Sequence, residues 1–305
     1  MKPLHIHTPL LQSQLLTRSL NKAIYLKMEA LQPCGSFKLR GIGKLCQQEK
    51  ERGSRAFVAS SGGNAGIAAA YCGMKLNVPT TVFIPETSHP LYVDRIKSYG
   101  AEVIIAGENW GKAHQAATLF VQTHTASYIH PFDHPILWEG HSSMIDEVAQ
   151  EGLKPDVVLV SVGGGGLACG VLEGMHRHKW HDVPLVAVET QGADSFAQSL
   201  KENRCVTLPR ITSKATSLGA TYVTQKLMDW SRKHVIHSVV VSDEEAEQAT
   251  YDLAKDQRVL VELASGASLS LVYHSHPIIA PFKSILVIVC GGVNISHFQL
   301  KTPCT

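Results

Sequence analysis

Between about residues 55 and 129 the chain alternates short apolar runs, each closed by turn residues, with stretches of helical periodicity. Strands are expected near 55–61, 80–85, 101–106 and 127–129, and helices near 64–74, 91–99 and 110–124. A second series of apolar runs starts at Val157, continues over 185–188 and 238–241, and closes over 285–289. Alternation of this kind builds βα units, so the expected class is α/β: two open, mainly parallel sheets with flanking helices. Asp243 stands where it could cap the acid-first helix expected over 244–255. No solenoid-like repeat, low-complexity segment or long linker interrupts the pattern.

Several turns in this pattern carry chemistry. Lys38 follows the turn Gln32-Pro33-Cys34-Gly35 and opens a helical stretch, with Ser36 and Phe37 before it. The positive end of a helix dipole disfavours an ammonium and favours the free amine that a Schiff-base lysine needs. Taken alone, Lys38 reads better as a surface lysine in a first helical turn. Ser60-Ser61-Gly62-Gly63-Asn64-Ala65-Gly66 follows an expected strand and opens a small-residue helix, a place where backbone N–H groups converge on a carboxylate or phosphate. Gly163-Gly164-Gly165-Gly166 lies between the run ending at Ser161 and the next helix, with no side chain to block a phosphate. Cys290-Gly291-Gly292-Val293-Asn294 ends the last strand. Each turn alone is weak; together they suit one cofactor.

On these segments the sequence resembles the pyridoxal-phosphate enzymes of the tryptophan-synthase β-subunit fold, and most closely the L-serine dehydratase group with its threonine-deaminating members. The likeness runs over almost the whole chain and includes Tyr25-Leu26-Lys27-Met28-Glu29, Pro131-Phe132-Asp133, Trp138-Glu139-Gly140-His141 and Thr212-Ser213. It implies pyridoxal 5′-phosphate (PLP) as cofactor, with Lys38 as the Schiff-base and catalytic lysine. Phe37 would lie against the pyridine ring, Asn64 at the ring hydroxyl, Gly163, Gly164, Gly165 and Gly166 around the phosphate, and Cys290 at the pyridine nitrogen. Ser61, Gly62, Gly63 and Ala65 would receive the substrate carboxylate. Glu189, Ser195 and the carbonyls of Ala193, Leu218 and Ala220 would surround a monovalent cation such as K+. For Glu189, an ordinary strand-end acid paired with a base is an equal reading. Trp138 and its neighbours suit either the substrate side or a tryptophan packed in the core. Cys34 stands where serine is common, and Gly62 where some members have alanine, which bears on substrate efficiency.

The resemblance also implies a large domain of residues 1–38 and 135–305, a small mobile domain of 39–134, and a homodimer. The expected reaction is α,β-elimination from L-serine, and from L-threonine, giving pyruvate or 2-oxobutanoate plus ammonia. Rivals are another enzyme of the same fold (serine racemase, threonine synthase or cysteine synthase-like), a nucleotide-binding oxidoreductase using the Gly163 turn, and a PLP-binding protein without turnover. The first would keep Lys38 and yield no keto acid.

Composition narrows the setting. The 305 residues suffice for about two domains. A formal charge of +2 offers no field for nucleic acid or anionic lipid. No apolar run reaches the roughly 20 residues of a membrane span, and residues 1–5 do not read as a secretory leader. Seven scattered cysteines without a C-x-x-C pair suit free thiols, so a cytoplasmic enzyme is expected. The chain ends soon after Cys290, so no C-terminal regulatory module or feedback inhibition is expected. His176, His178 and His181 cluster, but Arg177, Lys179 and Trp180 interleave them, and a solvated helix end is the better reading than a zinc site.

Overall fold

The structure is a computed structural model, and it describes residues 1–293 and 295. Asn294, singled out beside Cys290, lies outside the described residues. Among the described residues ten strands form two sheets. The larger contains β1 (Leu10–Gln12), β2 (Ala23–Lys27), β7 (Val157–Ser161), β8 (Leu185–Thr190), β9 (Ile236–Val241) and β10 (Ser284–Ile288), in the order β1-β2-β10-β7-β8-β9. The smaller contains β3 (Phe57–Ala59), β4 (Thr80–Ile84), β5 (Glu102–Ile105) and β6 (Ser127–Ile129), in the order β5-β4-β3-β6. Every pairing is parallel except β1 with β2.

The interior strands β7 and β8 are buried along their whole length, and β10 over Ile285 to Ile288, as their near-continuous Val/Ile/Leu sequences require of parallel strands covered on both faces. The outer strands β5 and β9 carry exposed residues such as Glu102, Ile105 and Val240. In the small sheet, Val58 and Phe83 pack on Ala113 and Ala117 of the helix Trp110–Thr123, while Phe57, Ala59, Val82 and Ile84 join the main core.

Parallel strands place their carboxyl ends, and the loops that follow, along one edge, where open α/β sheets build their sites. That edge of the large sheet carries Cys290, the tetraglycine loop and Glu189. In the small sheet it carries Ser60 after β3 and His130 after β6.

Two expectations change. Ser242, rather than Asp243, caps the helix Asp243–Gln257, in a reciprocal capping box with Glu245. Asp243 instead accepts hydrogen bonds from Ser213 Oγ (2.6 Å) and Lys214 N (2.7 Å), tying a distant loop to that helix. The histidine cluster is more than a solvated helix end: His176 bonds His234 (3.1 Å) and lies against His181 and Trp230. No group of three or more His, Cys, Asp or Glu side chains among the described residues could hold a metal ion. No helix among them is long and apolar enough to cross a membrane.

Candidate active site

The chain around Lys38 is fixed by a segment more than two hundred residues away. Phe37 N–H donates to Cys290 O (2.9 Å), Gly292 N–H donates to Gly35 O (3.0 Å), and Ser36 bridges Gly291 in antiparallel fashion. The approach is close enough that only glycine fits: a Cβ on Gly291 would lie 2.5 Å from Ser36 Cβ, and one on Gly292 would lie 2.2 Å from Glu262 N. The helix Lys38–Glu51 starts at the lysine itself.

Lys38 Nζ donates to Pro131 O (2.5 Å) and lies 5.1 Å from the Phe37 ring centre. The protein packed around the amine lowers its pKa to about 8, outweighing the pull of Cys290 and Glu262 the other way. Burial is therefore the main cause, ahead of the helix position on which the sequence argument relied. Cys290 is buried and its thiol is pushed up to about 12, so it is neutral. Its Sγ lies 3.2 Å from Ser265 Oγ, whose own proton goes to Gly291 O (2.6 Å).

Asn64 opens the helix Asn64–Leu76, and its amide nitrogen donates to Glu262, a carboxylate that also accepts from Tyr92 Oη (3.3 Å). Asn64 Oδ1 is buried without a hydrogen-bond partner, as is Ser161 Oγ at the end of β7. Gly165 adopts a left-handed φ of 88° at the start of the helix Gly166–Arg177, which no side chain caps. These glycines make room first for protein: a Cβ on Gly164 would strike the Phe132 ring at 2.4 Å, one on Gly166 the Phe132 carbonyl at 2.5 Å, and one on Gly163 would crowd Leu218. Trp138 Nε1 donates to the same carbonyl (2.8 Å), so the tryptophan packs beneath the loop. His141 is buried edge-on to Phe37 (4.9 Å).

The model of the family "pyridoxal-phosphate dependent enzyme" matches residues 1–291. The chain belongs to that family. The PLP enzymes it is similar to include an L-serine dehydratase/L-threonine deaminase of Bos taurus, 44% identical over 98% of this chain and 94% of the relative. A solved fungal L-serine ammonia-lyase of Rhizomucor miehei aligns with a TM-score of 0.91 and 36% identity over 96% of both chains. A maize serine racemase aligns at 0.89 and 25% identity over 97% of this chain and 91% of the other.

The residues present fit PLP. An amine with a lowered pKa suits the aldehyde, an uncapped helix start behind four glycines suits the phosphate, and the unpaired Asn64 Oδ1 gives a ring hydroxyl an acceptor. Sequence reasoning missed Glu262, the partner of Asn64, and Pro131 and Phe132 as the wall joining Lys38 to the tetraglycine loop. An acid inside the apolar run Val261-Glu262-Leu263 was the one available signal for the first.

The residues suggested for a cation divide. Glu189 and Ser195 come together, but the Glu189 carboxylate accepts N–H bonds from Phe196 (2.8 Å) and Ala197 (2.7 Å), capping the helix Ser195–Glu202. Its recorded partners are thus backbone N–H groups rather than the base of the second reading weighed from sequence. Burial pushes its pKa up to about 8 despite those bonds. Ser195 Oγ is buried and unpartnered, and Leu218 O accepts from Ala220 N (2.8 Å).

Proposed function

We propose that this PLP enzyme is an L-serine dehydratase that also acts on L-threonine, giving pyruvate or 2-oxobutanoate plus ammonia. The observation that carries the reading is the Lys38 amine, held beside Cys290 with a pKa near 8, in a chain similar end to end to the bovine relative named for that activity. Bound PLP supplies an electron sink that makes the substrate Cα–H acidic. Lys38 then takes the Cα proton. Ser61, Gly62, Gly63 and Ala65 hold the carboxylate, while Asn64 would meet the ring hydroxyl. Gly163 to Gly166 would hold the phosphate, Phe37 would pack on the ring, and Cys290, a neutral thiol, would stand at the pyridine nitrogen without protonating it. That last choice disfavours transamination and racemisation, and favours expelling the β-hydroxyl.

In the same reading residues 39–134 close over 1–38 and 135–305 and exclude water. Glu189, Ala193, Ser195, Leu218 and Ala220 hold a monovalent cation that stiffens the phosphate side, two chains form a homodimer, and the enzyme works in the cytoplasm. The test is keto acid and ammonia measured in parallel from L-serine and L-threonine, with D-serine assayed alongside. Equimolar keto acid and ammonia support the reading. D-serine without keto acid would replace it with racemisation.

A further inference from the structure

A hydrogen-bonded chain outside the residues assigned above runs from a half-exposed histidine to the head of the glycine-rich loop. Ser60 Oγ, buried at the end of β3, meets Tyr128 Oη at 2.5 Å, and Tyr128 Oη meets His114 Nδ1 at 2.6 Å. Tyr128 lies on the neighbouring strand β6, and His114 on the helix Trp110–Thr123. Trp110 stacks on the imidazole (5.1 Å, 19°) and touches Tyr222 (6.3 Å), so the outer end of the chain is covered by an aromatic contact between residues far apart in sequence.

The protons in this chain admit two arrangements. With His114 neutral and its proton on Nε2, Tyr128 donates to Nδ1 and accepts from Ser60, whose hydroxyl proton is thereby used. With a proton on Nδ1, in the neutral Nδ1–H tautomer or in the imidazolium, Nδ1–H donates to Tyr128, Tyr128 donates to Ser60, and the Ser60 hydroxyl is released to donate beside Ser61. A positive charge at the rim thus locks the chain in the second polarity, which the neutral ring only shares with the first.

We propose that Ser60, Tyr128 and His114 are positioning residues that set the hydroxyl polarity at the head of the loop 61–65, and through it the affinity for the substrate carboxylate. The proposal rests on the reading of that loop as the carboxylate site. Other groups facing His114 do not blur the switch. Tyr128 titrates far above neutrality, raised to about 12 by burial, and β3 and β4 present no titratable side chain to this helix. His130 accepts N–H bonds from Phe132 (3.2 Å) and Asp133 (2.8 Å) at Nδ1, and burial, with His114 and Lys38, lowers it to about 3, so it stays neutral. His114 itself is lowered by burial.

The test uses the holoenzyme, titrated with L-serine and followed by cofactor absorbance and by kcat and KM from pH 8 down to the acid limit of the folded holoenzyme. Tyr128→Phe keeps the ring and removes both bonds. With the Ser60 hydroxyl then free to donate at every pH, L-serine should bind about as tightly as to the wild type with His114 protonated and show no pH course from this chain, with kcat within about twofold and cofactor content unchanged. His114→Gln cannot gain a charge. Relative to it, the wild type should bind more tightly as pH falls through the His114 titration, which burial moves to the acid side of the ordinary imidazole range, because protonation frees Ser60 to donate. Ser60→Ala, which also serves if Tyr128→Phe does not fold, removes the donor itself and should weaken L-serine binding roughly five- to tenfold, the loss of about one hydrogen bond, again without the pH course. Unchanged affinity with an unchanged pH course, or equal loss of kcat and cofactor, overturns the proposal. A wild type that binds L-serine spectrally but yields no keto acid overturns the dehydratase reading and leaves this test standing.

Discussion

Lys38 and Arg40 lie two residues apart at the start of one helix, yet their surroundings are opposite. Arg40 spends all five of its N–H donors: Nε and Nη2 on Glu29 (both 2.7 Å), Nη1 and Nη2 on Glu147 (2.6 and 2.7 Å), and Nη1 again on Ser143 (3.0 Å). Lys27 completes the set with Glu147 (2.6 Å) and Thr8 O (2.7 Å), so two buried cations face two buried carboxylates. Around Lys38 the accounting is left open. Its ammonium has one acceptor, Pro131 O, and Asn64 Oδ1 and Ser161 Oγ are buried without partners among the described residues. A closed polar cluster fixes where the helix starts, and an open one beside it keeps unfilled valences for a ligand.

The largest effect should come from Lys38→Ala. Keto-acid formation should fall by on the order of 10³–10⁴-fold, while the stability of the apo protein shifts by less than about 1 kcal/mol, since the amine is held there at a cost. Borohydride reduction of the wild type followed by peptide mapping should find the pyridoxyl label on Lys38. A label on another lysine would overturn the assignment.

Arg40→Ala should do the reverse. It leaves Glu29 and part of Glu147 as uncompensated buried charge, a loss of about 3–5 kcal/mol readable by denaturant unfolding of the apo protein. If both variants unfold alike, the contrast between a structural and a functional cluster is wrong.

Much of this was legible in the sequence. The helix start at Lys38 and the glycines at strand ends follow from local pattern, because turn chemistry and apolar periodicity are local. The pairing of Gly35 to Phe37 with Cys290 to Gly292, the contact of Asn64 with Glu262, and the seating of Phe132 under Gly164 are set by which strands become neighbours. The order β2-β10-β7 brings together segments from both ends of the chain, and no window of sequence reports that. The Arg40 cluster was hidden for the same reason: Lys27 and Glu29 belong to one segment and Glu147 to another. Asp243 misled because it fits a cap as well as Ser242 does, and only the reciprocal bond with Glu245 separates them.

The pH course of cofactor uptake sharpens the comparison at Lys38 alone. With the folded pKa lowered to about 8, the free amine is the dominant form above that value and is lost as pH falls through it. At pH 7 roughly a tenth of the chains carry the reactive form, more than a hundred times the share of a solvated lysine. The rate of PLP capture by the apo protein should therefore climb about tenfold from pH 7 toward a plateau above 8, measured by absorbance after rapid mixing. A rate still rising through pH 10 would mean that the amine is solvated before PLP arrives.

The smallest effect concerns the back of the carboxylate loop. Gly62 has a filled rear side: a Cβ there would lie 2.1 Å from Ser88 Oγ and 2.9 Å from Ser88 Cβ. Gly62→Ala must therefore displace either Ser88, held by its turn to Pro85 O (3.0 Å), or the loop itself. Overpacking of one methyl costs about 1–3 kcal/mol when the surroundings cannot give. The expected outcome is a rise in KM for L-serine of roughly three- to tenfold with kcat nearly unchanged, because the loop shifts while Lys38 does not. Adding Ser88→Gly should restore part of the loss, since the two sites share one small volume. Equal KM in the wild type and Gly62→Ala would show that the rear of the loop yields freely and that glycine at this position is a matter of the open, ligand-facing side.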